Sequence, residues 1–86
     1  MKSLANSDFW ACYDRLPKEI QRRADRAYEL FLRHPAHPSL RFKALAAPAN
    51  HYSVRINEKY RAVGVKDCEV VIWFWIGTHN EFDRLF

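Results

Sequence analysis

The sequence predicts an α+β fold in which two N-terminal helices, forming a helical hairpin, pack on a small and mainly antiparallel sheet. Residues 7–33 repeat apolar side chains at helical spacing, whereas residues 52–65 alternate apolar and polar side chains as half-buried strands do. Residues 69–76 are apolar at almost every position, which is typical of a strand covered on both faces. Because domains commonly have about 50 to 250 residues, residues 1–86 are expected to form a single domain.

The two helices are predicted on either side of a proline. Ser7 is an N-cap residue type for the first, and Pro17 both ends that helix and opens the second, which covers residues 17–33. Glu19 and Arg23 on its polar face have the spacing of a favourable ion pair. That mixed-charge face is interpreted as a solvated surface in preference to a binding surface. The sheet-facing stripe of the second helix contains Ile20, Ala24, Ala27, Tyr28 and Phe31.

The segment after the second helix is irregular. Two X-Pro steps in residues 34–38 force extended backbone, and they break any regular geometry between the two histidines there, so no metal site is expected. Ser39 is predicted to cap a short helical turn that directs Leu40, Phe42 or Leu45 inward. At the other end of the chain, residues 1–6 fit either a short edge strand or a frayed terminus.

Residues 52–65 predict a β-hairpin with a polar turn at residues 57–59. If the turn is three residues long, Arg55 lies directly opposite Arg61 on one sheet face, whereas a two- or four-residue turn puts them on opposite faces. Paired like charges cost stability. An anion lying over the pair would explain the arrangement, and guanidinium groups suit a phosphate. Two solvated arginines on an exposed hairpin are the alternative.

The C-terminal part of the chain is predicted to be a strand followed by a helical turn. A second turn at residues 66–67 precedes the strand over residues 69–76. Thr78 is the expected cap of the final turn, with Phe82 and Leu85 folding back onto the core.

His79 follows the last strand, so in an antiparallel meander it would emerge beside Arg55 and Arg61. Two fixed cations and a group that titrates near neutral pH suit phosphodiester chemistry, in which the cations hold the phosphate and histidine moves a proton. With RNA the 2′-hydroxyl can be the nucleophile, so neither a metal nor another cofactor is expected. Glu81 is a candidate partner base if it turns inward, and a solvated carboxylate otherwise. For His79, structural and catalytic roles fit the spacing equally.

The positive charge of the chain is concentrated near the hairpin. The formal net charge is +4, and five cations and one acid within residues 41–65 already sum to +4. Arg41, Lys43 and Lys59 are therefore candidate RNA-backbone contacts. Aromatic residues on the strands are candidates for base stacking, although core packing is the preferred interpretation: Tyr52, Tyr60 and Trp75.

Cysteine spacing and hydropathy point to a cytoplasmic location. Cys12 and Cys68 stand in no metal or redox spacing, and two reduced thiols are favoured over one disulfide. Residues 1–16 lack the apolar region of a signal peptide, and the longest apolar run, residues 70–77, is too short to span a bilayer. No membrane association is expected.

Several short segments occur together in a specific order and spacing. They are Leu16-Pro17, His37-Pro38-Ser39-Leu40 with Phe42-Lys43, Tyr52-Ser53-Val54-Arg55, Tyr60-Arg61-Ala62, and Trp73-Phe74-Trp75-Ile76-Gly77-Thr78-His79 followed by Phe82-Asp83. Over residues 9–86 this pattern resembles the RelE/ParE superfamily of small toxins from bacterial toxin–antitoxin pairs. The resemblance implies a compact antiparallel sheet against two N-terminal helices.

The resemblance also implies one of two activities. RelE-like members cut mRNA in the ribosomal A site without a metal; by position, Arg55 and Arg61 match their basic strand residues and His79 their terminal acid/base. ParE-like members inhibit DNA gyrase through protein binding. This chain departs from the pattern at Ser53, which is lysine in some relatives, and at Phe82, where an aromatic hydroxyl is common.

A ribosome-dependent, metal-independent mRNA endonuclease is the leading hypothesis from the sequence. Gyrase inhibition, or an inactive RNA-binding descendant, is the alternative. Members of both kinds are neutralised by a cognate antitoxin protein that lays an extended or helical segment across the toxin. The resemblance thus implies an antitoxin, the ribosome and mRNA as partners, with a monomer or weak dimer when free.

Overall fold

The computed structural model describes residues 1–86 and contains a five-stranded sheet with helices on both faces. In chain order the elements are β1 (Lys2–Ala5), α1 (Ser7–Asp14), α2 (Lys18–Arg33), a 3₁₀ turn (Pro38–Leu40), β2 (Lys43–Ala44), β3 (His51–Arg55), β4 (Tyr60–Asp67), β5 (Val70–Thr78) and α3 (His79–Leu85). The strand order is β1-β5-β4-β3-β2, with β1 parallel to β5 and all other neighbours antiparallel. The predicted α+β fold with a mainly antiparallel sheet is confirmed.

The N-terminal residues form the edge strand β1, which was one of the two alternatives for residues 1–6. The Trp73 indole Nε1–H donates a hydrogen bond to Ser3 Oγ at 2.8 Å and so ties β1 to its neighbour β5. The predicted cap of α1 is wrong by one residue: Asn6 Oδ1, not Ser7, accepts the Phe9 N–H at 3.0 Å. Asn and Ser are both good N-cap residues. Because α1 begins at Ser7, directly after β1 ends at Ala5, the cap position falls on Asn6.

The main core lies between α2 and one face of the sheet. Ala24 and Phe31 are buried there, as the predicted stripe requires, but Tyr28 at its margin remains 37% exposed. The predicted ion pair between Glu19 and Arg23 does not form. The only salt bridge of the structure joins His79 to Asp83. The core continues with residues from the 3₁₀ turn and the strands: Leu40, Val54, Ala62, Val71, Trp73 and Ile76.

The connection from α2 to the sheet differs from the predicted helical turn. The 3₁₀ turn ends at Leu40, and Arg41 adopts a left-handed conformation with φ 47°, so the chain turns directly into β2. The cap is His37, whose Nδ1 accepts the Ser39 N–H at 3.2 Å, and not Ser39 itself. Leu40 is 2% exposed, which confirms that it points inward.

The β3–β4 turn has the three-residue length on which the pairing of the arginines depends. Asn57 Oδ1 accepts hydrogen bonds from the N–H groups of Lys59 at 2.8 Å and Tyr60 at 3.0 Å. Such a bond from an Asn side chain to the backbone two residues on stabilises a tight turn. Ile56 N–H then donates to Tyr60 O at 3.0 Å and closes the hairpin.

The next turn lies later than predicted. β4 continues through residues 66–67, and the chain reverses at residues 68–69, where Cys68 takes φ 54°. The register of β4 with β5 shifts between Val63 and Gly64. A side chain at Gly64 would lie 2.8 Å from the Trp73 ring, so the bulge needs a glycine there.

The helix α3 covers the sheet face opposite α1 and α2. Phe82 and Phe86 pack against Trp75, with ring centroids 6.4 and 5.4 Å apart. Leu85 is 62% exposed and does not fold back as predicted, because Phe86 takes that place. None of the three helices combines the length and the apolar character that crossing a membrane requires.

Candidate functional site

Arg55, Arg61 and Gly77 lie side by side in one row across three strands. Arg55 pairs directly with Arg61, and Arg61 pairs with Gly77. Their neighbours Val54 and Ala62 point into the main core. Because successive residues of a strand point to opposite faces, the two arginines lie on the other face, here called the outer face. The conditional prediction that Arg55 faces Arg61 is confirmed.

Arg61 is held in a half-buried, positively charged environment. Its Nη1 donates hydrogen bonds to the turn carbonyls of Asn57 at 2.7 Å and Tyr60 at 3.0 Å. Burial, and then the charges of Arg55 and Arg41, lower the pKa of Arg61, and Asp83 opposes this shift. An arginine nevertheless stays protonated at neutral pH. The fold therefore keeps mutually repelling cations close together, which an anion would relieve.

His79 begins α3 and lies beside the β3–β4 turn. Its backbone N–H donates to Lys59 O at 2.7 Å, and its Nε2 lies 3.2 Å from Asp83 Oδ2. Its Nδ1 is buried and has no hydrogen-bond partner. In the tautomer that donates Nε2–H to Asp83, Nδ1 carries the lone pair of the neutral ring.

Asp83 was not among the residues singled out from the sequence for a function. It lies one helical turn after His79, and a carboxylate that holds one imidazole nitrogen fixes the ring orientation. The spacing of four residues between His79 and Asp83 is the signal that could have found it, given a helix over this segment.

Glu81 makes a reciprocal capping box with Thr78. Glu81 Oε1 accepts hydrogen bonds from the Thr78 backbone N–H at 2.9 Å and hydroxyl at 3.0 Å, and Thr78 Oγ1 accepts the Glu81 N–H at 3.1 Å. These bonds from Thr78 lower the pKa of Glu81 below its usual value. The predicted cap at Thr78 is confirmed. Its hydrogen bonds engage the carboxylate of Glu81, the residue that the sequence suggested as a partner base.

The predicted backbone contacts are distributed around the arginine pair. Lys43 pairs with Ser53, two residues before Arg55, and so lies exposed on the outer face. Arg41 is close enough for its charge to act on Arg61. Lys59 is exposed in the β3–β4 turn.

The candidate stacking residues are used in packing. Tyr52 stacks on Phe42, with ring centroids 5.1 Å apart, and Trp75 lies under the aromatic side chains of α3. Tyr60 is half-buried at the start of β4.

Gly77 leaves room for the neighbours of Arg61. A side chain at Gly77 would lie 2.6 Å from the Trp75 ring and 2.8 Å from Glu81 Oε1. Both contacts are shorter than atoms allow, so any other residue would displace the indole or the capping carboxylate. The glycine therefore lets α3 begin close to the arginine row.

No three His, Cys, Asp or Glu side chains are grouped so that they could hold a metal ion. Cys12, half-buried in α1, and Cys68, exposed in the β4–β5 turn, are free thiols. The chemistry-bearing groups of the outer face are the guanidinium groups of Arg55 and Arg61, the Lys43 ammonium, the His79 imidazole and the carboxylates of Glu81 and Asp83.

A family model of the ParE-like toxin domain matches residues 18–84, which include the arginine pair and His79. The chain belongs to this toxin family. The resemblance to the RelE/ParE superfamily is thereby confirmed. No curated protein sequence matches the chain significantly.

Solved structures of related toxins share the fold. A chain of the RelB–RelE antitoxin–toxin complex from Methanococcus jannaschii has a TM-score of 0.77 and 17% identity, covering 96% of this chain and 98% of that chain. YafQ from Escherichia coli strain BL21(DE3) has a TM-score of 0.75 and 8% identity, covering 94% and 96%. The isolated Escherichia coli RelE toxin has a TM-score of 0.66 and 14% identity, covering 99% and 98%. At these identities the similarity demonstrates a common fold only.

Proposed function

We propose that this toxin domain cuts mRNA on the ribosome as a metal-independent endonuclease. The observation that carries the proposal is the pairing of Arg55 with Arg61 on the strands next to His79, whose ring is held by Asp83. Two guanidinium groups and an oriented imidazole are the groups that phosphodiester cleavage through the 2′-hydroxyl requires.

In the proposed reaction Arg55 and Arg61 bind the scissile phosphate. His79 accepts the proton of the 2′-hydroxyl, and the 2′-oxygen attacks phosphorus. A bond forms between the 2′-oxygen and phosphorus, and the bond from phosphorus to the 5′-oxygen breaks. The leaving oxygen takes a proton from solvent, giving a 2′,3′-cyclic phosphate and a 5′-hydroxyl. The arginines stabilise the charge that builds up on the phosphate oxygens, and Asp83 stabilises protonated His79.

Glu81 has a positioning role in this proposal. Its lowered pKa makes it a poor proton carrier near neutral pH, where the pKa of an efficient general base should lie. Its hydrogen bonds to Thr78 instead fix the first turn of α3, from which His79 projects. Lys43, Arg41 and Lys59 add charge for the RNA backbone.

A cognate antitoxin is the proposed protein partner, with the ribosome and mRNA as the target. The similar Methanococcus jannaschii chain comes from an antitoxin–toxin complex, which supports this partner. The free chain is proposed to be a monomer or weak dimer in the cytoplasm.

Gyrase inhibition through protein binding is the second candidate, because the matching family model describes ParE-like toxins. It needs no convergence of Arg55, Arg61 and His79. The two candidates therefore differ in whether single substitutions at these positions remove toxicity.

The deciding experiment is induction of the chain in a bacterial host, with growth measured and mRNA 5′ ends mapped. Arg61→Ala and His79→Ala are compared with wild type and with Arg22→Ala, which removes an exposed charge of α2 away from the outer face. We expect in-frame mRNA cleavage and growth arrest, lost only in the first two variants. Growth arrest with intact mRNA and DNA damage would instead identify gyrase as the target, and no arrest would indicate an inactive descendant.

A further inference from the structure

A groove of about 610 Å³ lies between α2 and the β3–β4 turn. Four cations line it: Arg23 and Arg26 from α2, Arg55 from β3 and Lys59 from the turn. Glu58 is the only acid in the lining, so its formal charge is +3. The polar face of α2, interpreted from the sequence as a solvated surface, thus forms one wall of a cationic groove.

The cations of the groove are not neutralised within the chain. The single salt bridge of the structure joins His79 to Asp83, and Arg61 is the only arginine whose side chain donates hydrogen bonds to the protein. Arg23 and Arg26 are exposed and lie three residues apart on one helix face. Four unpaired cations around one concave space concentrate positive potential there.

Arg55 connects this groove to the outer face. Arg55 is one of the residues that line the groove, and it also pairs with Arg61 in the arginine row. β2 pairs with β3 only at residues 52–53, so the sheet edge beside Arg55 is uncovered by β2. Arg55 thus belongs both to the arginine row with Arg61 and to the groove that Arg23 and Arg26 line.

We propose that this groove binds the phosphates of the mRNA strand next to the cleaved bond. The inference rests on the proposed endonuclease function, to which it adds a path for the strand that leaves the cleavage site. No aromatic side chain lines the groove, so it offers bases no stacking surface and holds the backbone without regard to sequence. The guanidinium groups of the lining arginines can donate paired hydrogen bonds to phosphate oxygens, and Ser39 and Asn57 add neutral donors.

An RNA strand fits these features better than an acidic peptide does. Protein interfaces usually depend on large side chains buried in central pockets, and the apolar part of this lining is limited to aliphatic residues. Its members are Ala27, Leu30, Leu40 and Ile56. Repeated single charges without a deep apolar pocket match a phosphate backbone.

The test measures binding of a 2′-O-methyl oligoribonucleotide of about 12 nucleotides, which lacks the 2′-hydroxyl nucleophile, by fluorescence anisotropy over a range of salt concentrations. The variant is Arg23→Ala/Arg26→Ala. Its matched control is Arg22→Ala/Arg33→Ala, which removes the same charge from the same helix outside the groove. Circular dichroism verifies that both fold.

We expect the groove variant to flatten the slope of log K against log salt by about 1.4, since each phosphate contact on a single strand contributes about 0.7. The control should keep the wild-type slope, and a trinucleotide should bind the wild type and the groove variant equally. Equal slopes in both double variants, or no binding by wild type, would overturn the proposal.

Two further measurements test whether the groove binds ribosomal RNA or acidic peptides instead of mRNA. If the groove variant loses binding to ribosomes without mRNA, ribosomal RNA is the ligand and the assignment to mRNA is wrong. If poly-glutamate binding depends on Arg23 and Arg26 whereas RNA binding does not, the groove recognises acidic peptides. Arg61→Ala should abolish cleavage, and when Arg23→Ala/Arg26→Ala is added to it the salt slope should still flatten by about 1.4. Wild-type growth arrest without mRNA cleavage would refute the proposed function, while the binding slopes still test the groove.

Discussion

At the scale of single residues, the arginine pair costs stability, and the proposed binding of a phosphate would offset that cost. Arg55 and Arg61 face each other across two strands, and burial together with the neighbouring charges lowers the pKa of Arg61. Like charges directly opposite in a sheet are destabilising. The folded chain therefore retains a repulsion that an anion bound between the two guanidinium groups would reduce.

Arg55→Gln should stabilise the fold and weaken the toxin. Removing one charge of the pair should raise the free energy of unfolding by about 0.5 kcal/mol, as expected for a cross-strand like-charge contact. Urea unfolding measures the gain, and the induction assay measures toxicity. Lys66→Gln, a charge loss on the core side of β4, is the control. A less stable, fully toxic Arg55→Gln protein would contradict the anion site.

At the scale of elements, a hydrogen bond joins the two N-terminal helices. Tyr13 OH in α1 donates to Asp25 Oδ1 in α2 at 2.8 Å. Burial, the hydrogen bond to Asp25 and the charges of Asp25 and Asp14 raise the pKa of Tyr13 to about 12. The neutral hydroxyl is therefore the form that the helical hairpin stabilises.

Tyr13→Phe should destabilise the protein by about 1 kcal/mol at neutral pH, through loss of one hydrogen bond. Because the folded pKa of about 12 exceeds the ordinary value of 10.0, this contribution is fully present below pH 10.0 and is lost as the pH rises through about 12. The stability difference between wild type and Tyr13→Phe should therefore shrink over that interval in urea titrations. Tyr60→Phe should show no such trend, since its hydroxyl makes no hydrogen bond within the chain.

The capping box of Thr78 and Glu81 is the second interaction that holds an element in place, here the start of α3. An amide at position 81 can still accept the hydrogen bonds from Thr78, but it cannot act as a base. Glu81→Gln should therefore keep most of the cleavage activity, whereas Glu81→Ala should lose the side-chain half of the capping box, at a cost of about 0.5 to 1 kcal/mol, and much of the activity. The mRNA cleavage rates of the two variants distinguish a positioning role of Glu81 from a role in proton transfer. Equal, large losses in both would assign proton transfer to Glu81.

At the scale of the whole molecule, the sheet is covered by two layers of different importance. The main core under α2 buries Leu40 to 2% exposure, whereas α3 is held on the outer face by half-buried aromatic residues. The global stability of the fold depends on the first layer, and the position of His79 on the second.

Leu40→Ala and Phe86→Ala should separate these layers. Leu40→Ala should cost about 2 to 5 kcal/mol because it opens a cavity in the main core. Phe86→Ala should cost less, increase hydrogen exchange of the α3 amides and reduce cleavage, because α3 carries His79. Calorimetry and hydrogen exchange distinguish the two. A large global destabilisation by Phe86→Ala, with exchange raised throughout the sheet, would show that the outer layer belongs to the main core.

The sequence by itself determined the features that depend on local interactions. The helical periodicity of α2 defined its buried stripe, and Thr78 with Glu81 specified the start of α3. The length of the turn at residues 57–59 stayed open in the sequence, although the Asn57 bonds that fix it at three residues reach only two and three residues along the chain. Such signals act over one turn of chain, so they can be read without the fold.

Only the tertiary structure decided the features that join distant parts of the chain. The parallel pairing of β1 with β5 joins residues far apart in sequence, and the place of α3 depends on which sheet face α1 and α2 leave open. That placement brings Asp83 close enough to Arg61 for the charges to interact. The cationic groove likewise needs α2 to pack beside the hairpin. These arrangements follow from the burial of apolar surface over the whole chain, which no local pattern records.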